Sequence, residues 1–248
     1  MKILKETSNY LKEQMEFNKK ASIVFFLIGI LGLIFSFMFA NFIFVCISGF
    51  IIVIGGHFLV QYTNYSGGLG GEKIVIEMLR NLDDDHYLIN DVMLPERYGN
   101  IDHILLCPNG IFVIETKNYE GEIICDGDEW HRHYEGGFTI SMRGRPYWKE
   151  PRDYDMGSPS KQVKGNAVKL KQLIESQKNI FKNPLKIWVE GIVVFTNPNV
   201  NLKLNEPTVT VLKVEELYDY LKNKESKIKF SSKELESIGN LILKAALR

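Results

Sequence analysis

Between Ala21 and Val60 the chain carries no Asp, Glu, Lys or Arg. A single membrane crossing needs ~20 apolar residues, and this uncharged run is 40 residues long. As one straight helix it would extend ~60 Å, about twice the thickness of a bilayer's hydrocarbon core. A helical hairpin is the simpler solution, with spans at about 21–40 and 42–60 turning near Asn41 and a second exit at Gly55-Gly56-His57. A secretory leader has a much shorter apolar core, ~7–15 residues, and a cleavage site after it. Here a charged segment, residues 1–20, comes first and holds Lys2, Lys5, Lys12, Lys19 and Lys20. The positive-inside rule puts that segment in the cytoplasm, and two spans return the chain to the same side. The expectation is a cell-membrane protein with two spans, its N-terminus and soluble part cytoplasmic and the bilayer bound through residues 21–60. Three Cys make no disulfide framework, which suits a reducing compartment.

Beyond the hairpin the charge is segregated. The formal net charge is zero, which excludes a wholly basic, histone-like protein. Residues 61–140, however, hold 5 basic and 15 acidic side chains, and residues 141–248 hold 20 basic and 12 acidic. One reading is a cation-binding acidic site beside a basic, phosphate-tolerant surface. The other is acids on solvated turns and lysines on helix faces.

The soluble part reads as α/β. Residues 61–68, rich in turn formers, suggest a linker, and Leu69–Leu82 has helical apolar spacing. His86–Leu94 looks like a strand, followed by a turn at 95–99. Ile101–Cys107 and Ile111–Lys117 are apolar, β-branched runs around Pro108-Asn109-Gly110, a strong hairpin signal. Glu122–Asp126 fits a further short strand, and residues 127–158 an irregular loop. Ser158 caps a basic helix from Pro159 to Lys178. Ile187–Thr196 is a strongly apolar strand, Val209–Lys213 a further short one, and Val214–Asn223 and Ser232–Leu247 are helical. The expected order is α-β-β-β-α-β with a mixed central sheet, over residues 69–200, with 201–248 as a C-terminal extension packed on it.

The chemistry concentrates on the central hairpin. Strands this apolar are usually buried on both faces, so Asp102, Glu115 and Lys117 need partners. Alternation puts Glu115 and Lys117 on one face. With Asn109-Gly110 as the two-residue turn, Asp102 lies opposite Lys117 with Glu115 diagonally beside it, and a one-residue slip would separate them. Two converging carboxylates suit Mg²⁺ or Mn²⁺, and a neighbouring Lys can hold a water and offset phosphate charge. A structural salt bridge fits the same residues.

Asp102, Glu115 and Lys117 in the order Asp-x(12)-Glu-x-Lys resemble the active site of the PD-(D/E)XK nuclease superfamily. The wider set is similar to the nuclease-related domain family, NERD. It comprises Gly68-Leu69-Gly70-Gly71-Glu72, Gly99-Asn100-Ile101-Asp102-His103-Ile104, Asn109-Gly110-Ile111-Phe112-Val113-Ile114-Glu115-Thr116-Lys117, Gly121, Trp130 and Ser158-Pro159-Ser160-Lys161-Gln162. It covers about residues 66–177; one departure is Ser158-Pro159 where family members often carry Asn-Pro. The resemblance implies an α/β, restriction-endonuclease-like core and divalent-metal-dependent phosphodiester hydrolysis. It implies Asp102 and Glu115 as metal ligands, Lys117 as the residue that positions water, Glu72 as a helix carboxylate and Gln162 as a polar group near phosphate. A nuclease fold that is catalytically idle, binding nucleic acid or a protein at the membrane, is the alternative.

Glu72 also suits a helix dipole. Gly67-Gly68-Leu69-Gly70-Gly71 lacks the spacing of a phosphate loop. His131 and His133 lack the companions of a zinc site, His103 points away from Asp102's face, and Cys107 lacks the surroundings of a nucleophile. Arg143, Arg145, Lys149, Lys161 and Lys164, interleaved with Tyr147, Trp148 and Tyr154, suit a nucleic-acid backbone, DNA before RNA, or an anionic lipid surface. A homodimer is compatible with all of this.

Overall fold

The computed structural model describes residues 1–94, 100–140, 146–177, 187–226 and 228–246, with the side chains of 138–140, 146, 147 and 149 excepted. The chain forms two compact units: Ser8–Gly70, and a second built from Met1–Thr7 together with Gly71–Arg248.

In chain order the elements are β1 (Lys2–Lys5), α1 (Tyr10–Met38), α2 (Phe42–Leu79), β2 (Tyr87–Val92), β3 (Ile101–Cys107), β4 (Gly110–Lys117), β5 (Gly121–Asp126), β6 (Glu129–Tyr134), β7 (Gly137–Ile140), β8 (Pro146–Lys149), β9 (Arg152–Asp155), α3 (Pro159–Glu175), β10 (Val189–Phe195), β11 (Val200–Asn205), β12 (Thr210–Lys213), α4 (Val214–Asn223) and α5 (Ser232–Ala246).

The smaller unit is made of α1 and the first part of α2, both long and apolar enough to cross a membrane. The buried residues of α1 are Asn18, Ser22, Gly29 and Ser36. Ser22, Gly29 and Ser36 recur every seventh position and form a seam of small side chains. A Cβ on Gly29 would lie 2.5 Å from Ile52 Cγ1 of α2, so only glycine lets the backbones approach this closely. The hydroxyls of Ser36 and Ser48 donate back to the carbonyls of Gly32 and Phe44, at 2.6 and 2.7 Å, which satisfies them without a partner helix. Large apolar side chains face outward instead, Leu31 at 65% exposed and Phe37 at 91%. The expected linker at 61–68 is helical and lies inside α2, which runs on without a break into the second unit. Helical hydrogen bonds from both sides outweigh the ~1 kcal/mol that each glycine costs there.

The larger unit is a layered α/β domain. Its central sheet has the order β1-β2-β3-β4-β10-β12 and is mixed: β2, β3 and β4 are antiparallel, while β1, β10 and β12 run parallel to their neighbours. One face carries Ile104, Leu106, Ile111, Val113 and Val193, covered by α3 and α5. The other carries Leu105, Phe112, Ile114 and Val194, covered by the end of α2 and by α4. The helix–three strands–helix–strand order expected from the sequence is present. The region 127–158, expected as a loop, instead holds β6 and β9, which join β5 and β11 in a four-stranded sheet, and the β7–β8 hairpin. These strands are short, polar and Gly-interrupted, so they carry little periodicity. Trp130 of β6 plugs this second sheet into the core: it stacks on Phe195 at 5.9 Å and donates its Nε1–H to Ser160 Oγ at 3.0 Å.

The turn of the central hairpin differs from expectation. Cys107 pairs with Gly110, so Pro108-Asn109 form the two-residue turn. Proline fixes φ near −65° and suits the first central position of a turn, which passes Gly110 on to the strand. His103 then pairs with Ile114, and Asp102 falls opposite Glu115 rather than Lys117. Because the slip is two residues, every side chain keeps its face.

Candidate active site

The parallel pairing of β4 with β10 runs from Val189 opposite Ile111 to Phe195 opposite Lys117. Glu115 and Lys117 therefore stand at the C-terminal end of a strand held between two others. Asp102 stands across from Glu115 on β3. The backbone N–H of Thr116 donates to Asp102 Oδ2 at 2.8 Å and fixes that carboxylate. Lys117 Nζ lies 2.6 Å from Glu115 Oε1 and donates to Gln162 Oε1 at 3.5 Å. Gln162 comes from the first turn of α3, whose N-terminus is set by Pro159 and by the Ser158 hydroxyl accepting from Lys161 N–H at 3.2 Å. Glu72 is delivered from the opposite face by α2. A Cβ at Gly71 would sit 2.8 Å from Thr196 Oγ1 and close to Thr116 and Asn118, so glycine is what lets that helix approach the ends of β4 and β10.

The sequence-derived set Glu72, Asp102, Glu115, Lys117 and Gln162 is thus brought to one end of one sheet. Its electrostatics are those of crowded acids. Burial pushes the Glu115 carboxyl up to about 7, and Asp102 adds to this, while Lys117 and Gln162 counter it. Burial, then Asp102, Asp91 and Glu115, raise Glu72 to about 8. Asp102 is also raised by burial, against the Thr116 hydrogen bond and Lys117. Desolvation lowers the Lys117 ammonium, but Glu115 and Asp102 outweigh it and hold its affinity for the proton above the usual lysine value. Glu115 Oε2 is buried and has no hydrogen-bond partner. Other unpartnered buried atoms gather nearby in sequence and register: Asn90 Nδ2, Asn100 Oδ1, His103 Nε2 and Thr116 Oγ1. A buried carboxylate oxygen without a donor, among acids that raise one another's pKa, is a site whose charge a cation would balance. Among the described residues, no group of three or more His, Cys, Asp or Glu side chains is arranged to hold a metal. The pair Asp102 and Glu115 would suit an ion held by one or two carboxylates, as Mg²⁺ can be.

Asp91 was missed by sequence reasoning. It sits in β2 with φ +51°, a left-handed conformation uncommon outside glycine. Its neighbours Asn90 and Val92 pair with His103 and Ile101, so it stands opposite Asp102. Asn100, in the motif before Asp102, donates to its carboxylate.

The remaining residues singled out by sequence have these places. His103 is buried against Asn90 Oδ1 at 2.8 Å, and burial depresses its pKa to about 3. Cys107 is buried and its thiol is pushed far up, away from nucleophile chemistry. His133 pairs with Asp153 at 2.7 Å. Lys164 is engaged by Asp128, 2.6 and 2.8 Å to its two oxygens, and also donates to Thr208 Oγ1. That network holds Asp128 well below the usual carboxylate range, through Lys164 first and then Ser160 and Thr208. Lys161 is exposed on the first turn of α3. Arg143 and Arg145 lie outside the described residues, as does the side chain of Lys149.

A mixed sheet flanked by helices, with paired acids and a lysine at its strand ends, defines a nuclease-like α/β domain. The chain belongs to the nuclease-related domain family, which matches residues 67–196, just over half of it. It is also 47% identical over 60 residues to an uncharacterized protein of Bacillus anthracis, a match covering 23% of this chain and 28% of that protein. The chain thus spans little more than a quarter of that relative's length. No solved structure matches it.

Proposed function

We propose that this protein is a membrane-anchored phosphodiesterase of nucleic acid, with DNA as the first expected substrate. The observation that carries the reading is Glu115: one oxygen held by Lys117, the other buried and unpartnered beside Asp102. Asp102 and Glu115 would hold a divalent cation, Mg²⁺ or Mn²⁺, which when bound supplies Lewis-acid polarisation and a more acidic water. The side chains have distinct parts to play. Thr116 N–H holds Asp102 in place. Lys117 stays protonated among its carboxylates, so it acts as a donor that orients water and offsets charge building on phosphate rather than as a base. Gln162 limits the swing of the Lys117 ammonium and offers an amide towards a phosphate oxygen. Glu72, protonated at neutral pH in the metal-free protein, is a proton source within the same field. The outward-facing apolar surface of α1 and α2 supports anchoring in a bilayer, with the lysines of residues 1–20 on the cytoplasmic side.

A second reading is favoured by the closed Lys117–Glu115 pair at 2.6 Å: an idle nuclease fold that binds at the membrane. The full chain in nanodiscs, incubated with supercoiled plasmid, single-stranded DNA and RNA in Mg²⁺, Mn²⁺ or EDTA, separates them. Cleavage removed by EDTA and by Glu115→Gln supports the enzyme. Salt-sensitive nucleic-acid binding that survives Glu115→Gln, with no cleavage and no metal-dependent thermal shift, supports the binding module.

A further inference from the structure

The strand ahead of the hairpin, β1, is far in sequence from every residue of the candidate site, yet it belongs to the same sheet. It pairs with β2 in parallel, Lys2 with Tyr87 and Ile3 with Leu88, and then the register shifts so that Lys5 pairs with Ile89. Such an irregularity re-aims the side chain that follows it. Here it turns the Lys5 ammonium onto the backbone carbonyl of Asp91. Asp91, in a left-handed backbone at φ +51°, is thereby held at two points: Lys5 on its carbonyl and Asn100 on its carboxylate. A non-glycine residue persists there only where its surroundings over-determine it. The residue so held stands opposite Asp102, which itself faces Glu115.

We infer that Lys5 is a positioning residue of the site: by holding the Asp91 carbonyl it fixes the left-handed turn of β2 and, through Asn100 and the β2–β3 pairing, the place of Asp102. The inference rests on the phosphodiesterase reading for its effect on rate, but not for its effect on structure. The raised Glu72 and Asp102 carboxyls agree with an Asp91 carboxylate kept close to both. Only Glu6, Thr7, Ser8 and Asn9 separate Lys5 from α1, so the clamp and the hairpin are joined by four residues. The two apolar helices are therefore inserted within the domain's own chain rather than fused ahead of it.

The test uses the full chain in nanodiscs with Lys5→Met and Lys5→Arg. Hydrogen–deuterium exchange is followed over residues 88–102, and plasmid cleavage is measured in Mg²⁺. Lys5→Met is expected to speed exchange at 90–92 and 100–102 while leaving α3 and α5 protected, and to lower kcat about tenfold with KM nearly unchanged, in the range of supporting-residue losses. Lys5→Arg, which can still donate to the carbonyl, restores both. Unchanged exchange at 90–92 and 100–102 overturns the inference. So does faster exchange spread evenly over the domain that Arg fails to rescue, which marks Lys5 as an edge-strand stabiliser. If wild type cleaves nothing, the phosphodiesterase reading fails, and the exchange pattern still decides whether the clamp exists.

Discussion

The hairpin and the domain solve burial in opposite ways. In the domain, Leu88, Leu105, Ile114 and Val194 are fully buried and charged side chains stay outside. In the hairpin, serine and glycine are buried while leucine, isoleucine and phenylalanine are exposed. Water drives the first pattern by expelling apolar surface. In lipid that force between helices is absent, and close backbone packing of small residues replaces it. On the proposed reading of the hairpin as membrane-spanning, the same chain records two solvents. Among the described residues the domain breaks its own rule by burying Glu115, beside Asp102, and that place is the candidate site.

The sharpest break in the comparison is at that exception. Lys117→Ala and Glu115→Gln are each expected to lower plasmid cleavage by roughly 10²–10³, the usual cost of removing a group that stabilises developing charge. Circular dichroism should show the fold retained. Activity within a few-fold of wild type would return Glu115 to an ordinary structural pair.

Next come matched leucines. Leu105→Ala should cost the domain about 2–5 kcal/mol, as cavity-forming core truncations do. Leu31→Ala, at an outward position of α1, should leave the domain's denaturant midpoint unchanged. Conversely, Gly29→Leu should open the hairpin seam, read as earlier loss of helicity in an SDS titration, because its Cβ has no room beside Ile52. Equal responses of Leu31 and Leu105 would mean that both regions are packed by water.

A smaller effect is expected from pH. In EDTA, the thermal midpoint should fall as pH rises from 6.5 to 8. Folded Glu72 and Glu115 retain protons up to about 8 and about 7, whereas the unfolded carboxyls have lost theirs near 4.5. The folded state then binds more protons, and its stability drains away as they leave. Below 6.5 the sign is opposed by His103, which is held neutral when folded but charges when unfolded. Saturating Mg²⁺ should flatten the slope, and Glu72→Gln should remove its upper part. A slope untouched by either change would place these acids outside any common site.

The smallest effect separates two lysines of one helix. Lys161→Ala should weaken DNA binding a few-fold and lower the salt slope by about one. Lys164→Ala should leave affinity alone, because Asp128 already neutralises that ammonium. Filter binding across a salt series measures both. Equal losses would mean that Asp128 releases Lys164 to the ligand.

Much of this was legible in the chain itself, for reasons that are local. The uncharged run at 21–60, the β-branched strands on either side of Pro108 and the capped helix at Ser158-Pro159 each declare themselves within one continuous stretch of chain. The face shared by Asp102, Glu115 and Lys117 follows from alternation alone, and it survived the two-residue change of register because that shift preserves parity. What only the tertiary structure decided depends on distant partners. Residues 2–5 read as part of a charged N-terminal segment because nothing in them names Tyr87–Ile89 as their neighbours. Residues 61–68 read as a linker because glycine's local preference hides the helix that continues through them. Lys164 read as free for phosphate because Asp128 is 36 residues away. Asp91 showed no signal at all, since its left-handed backbone and its clamp by Lys5 exist only once β1, β2 and β3 lie side by side. Periodicity and capping are written in neighbours along the chain, and register, pairing and the charge state of a buried acid are written in neighbours across it.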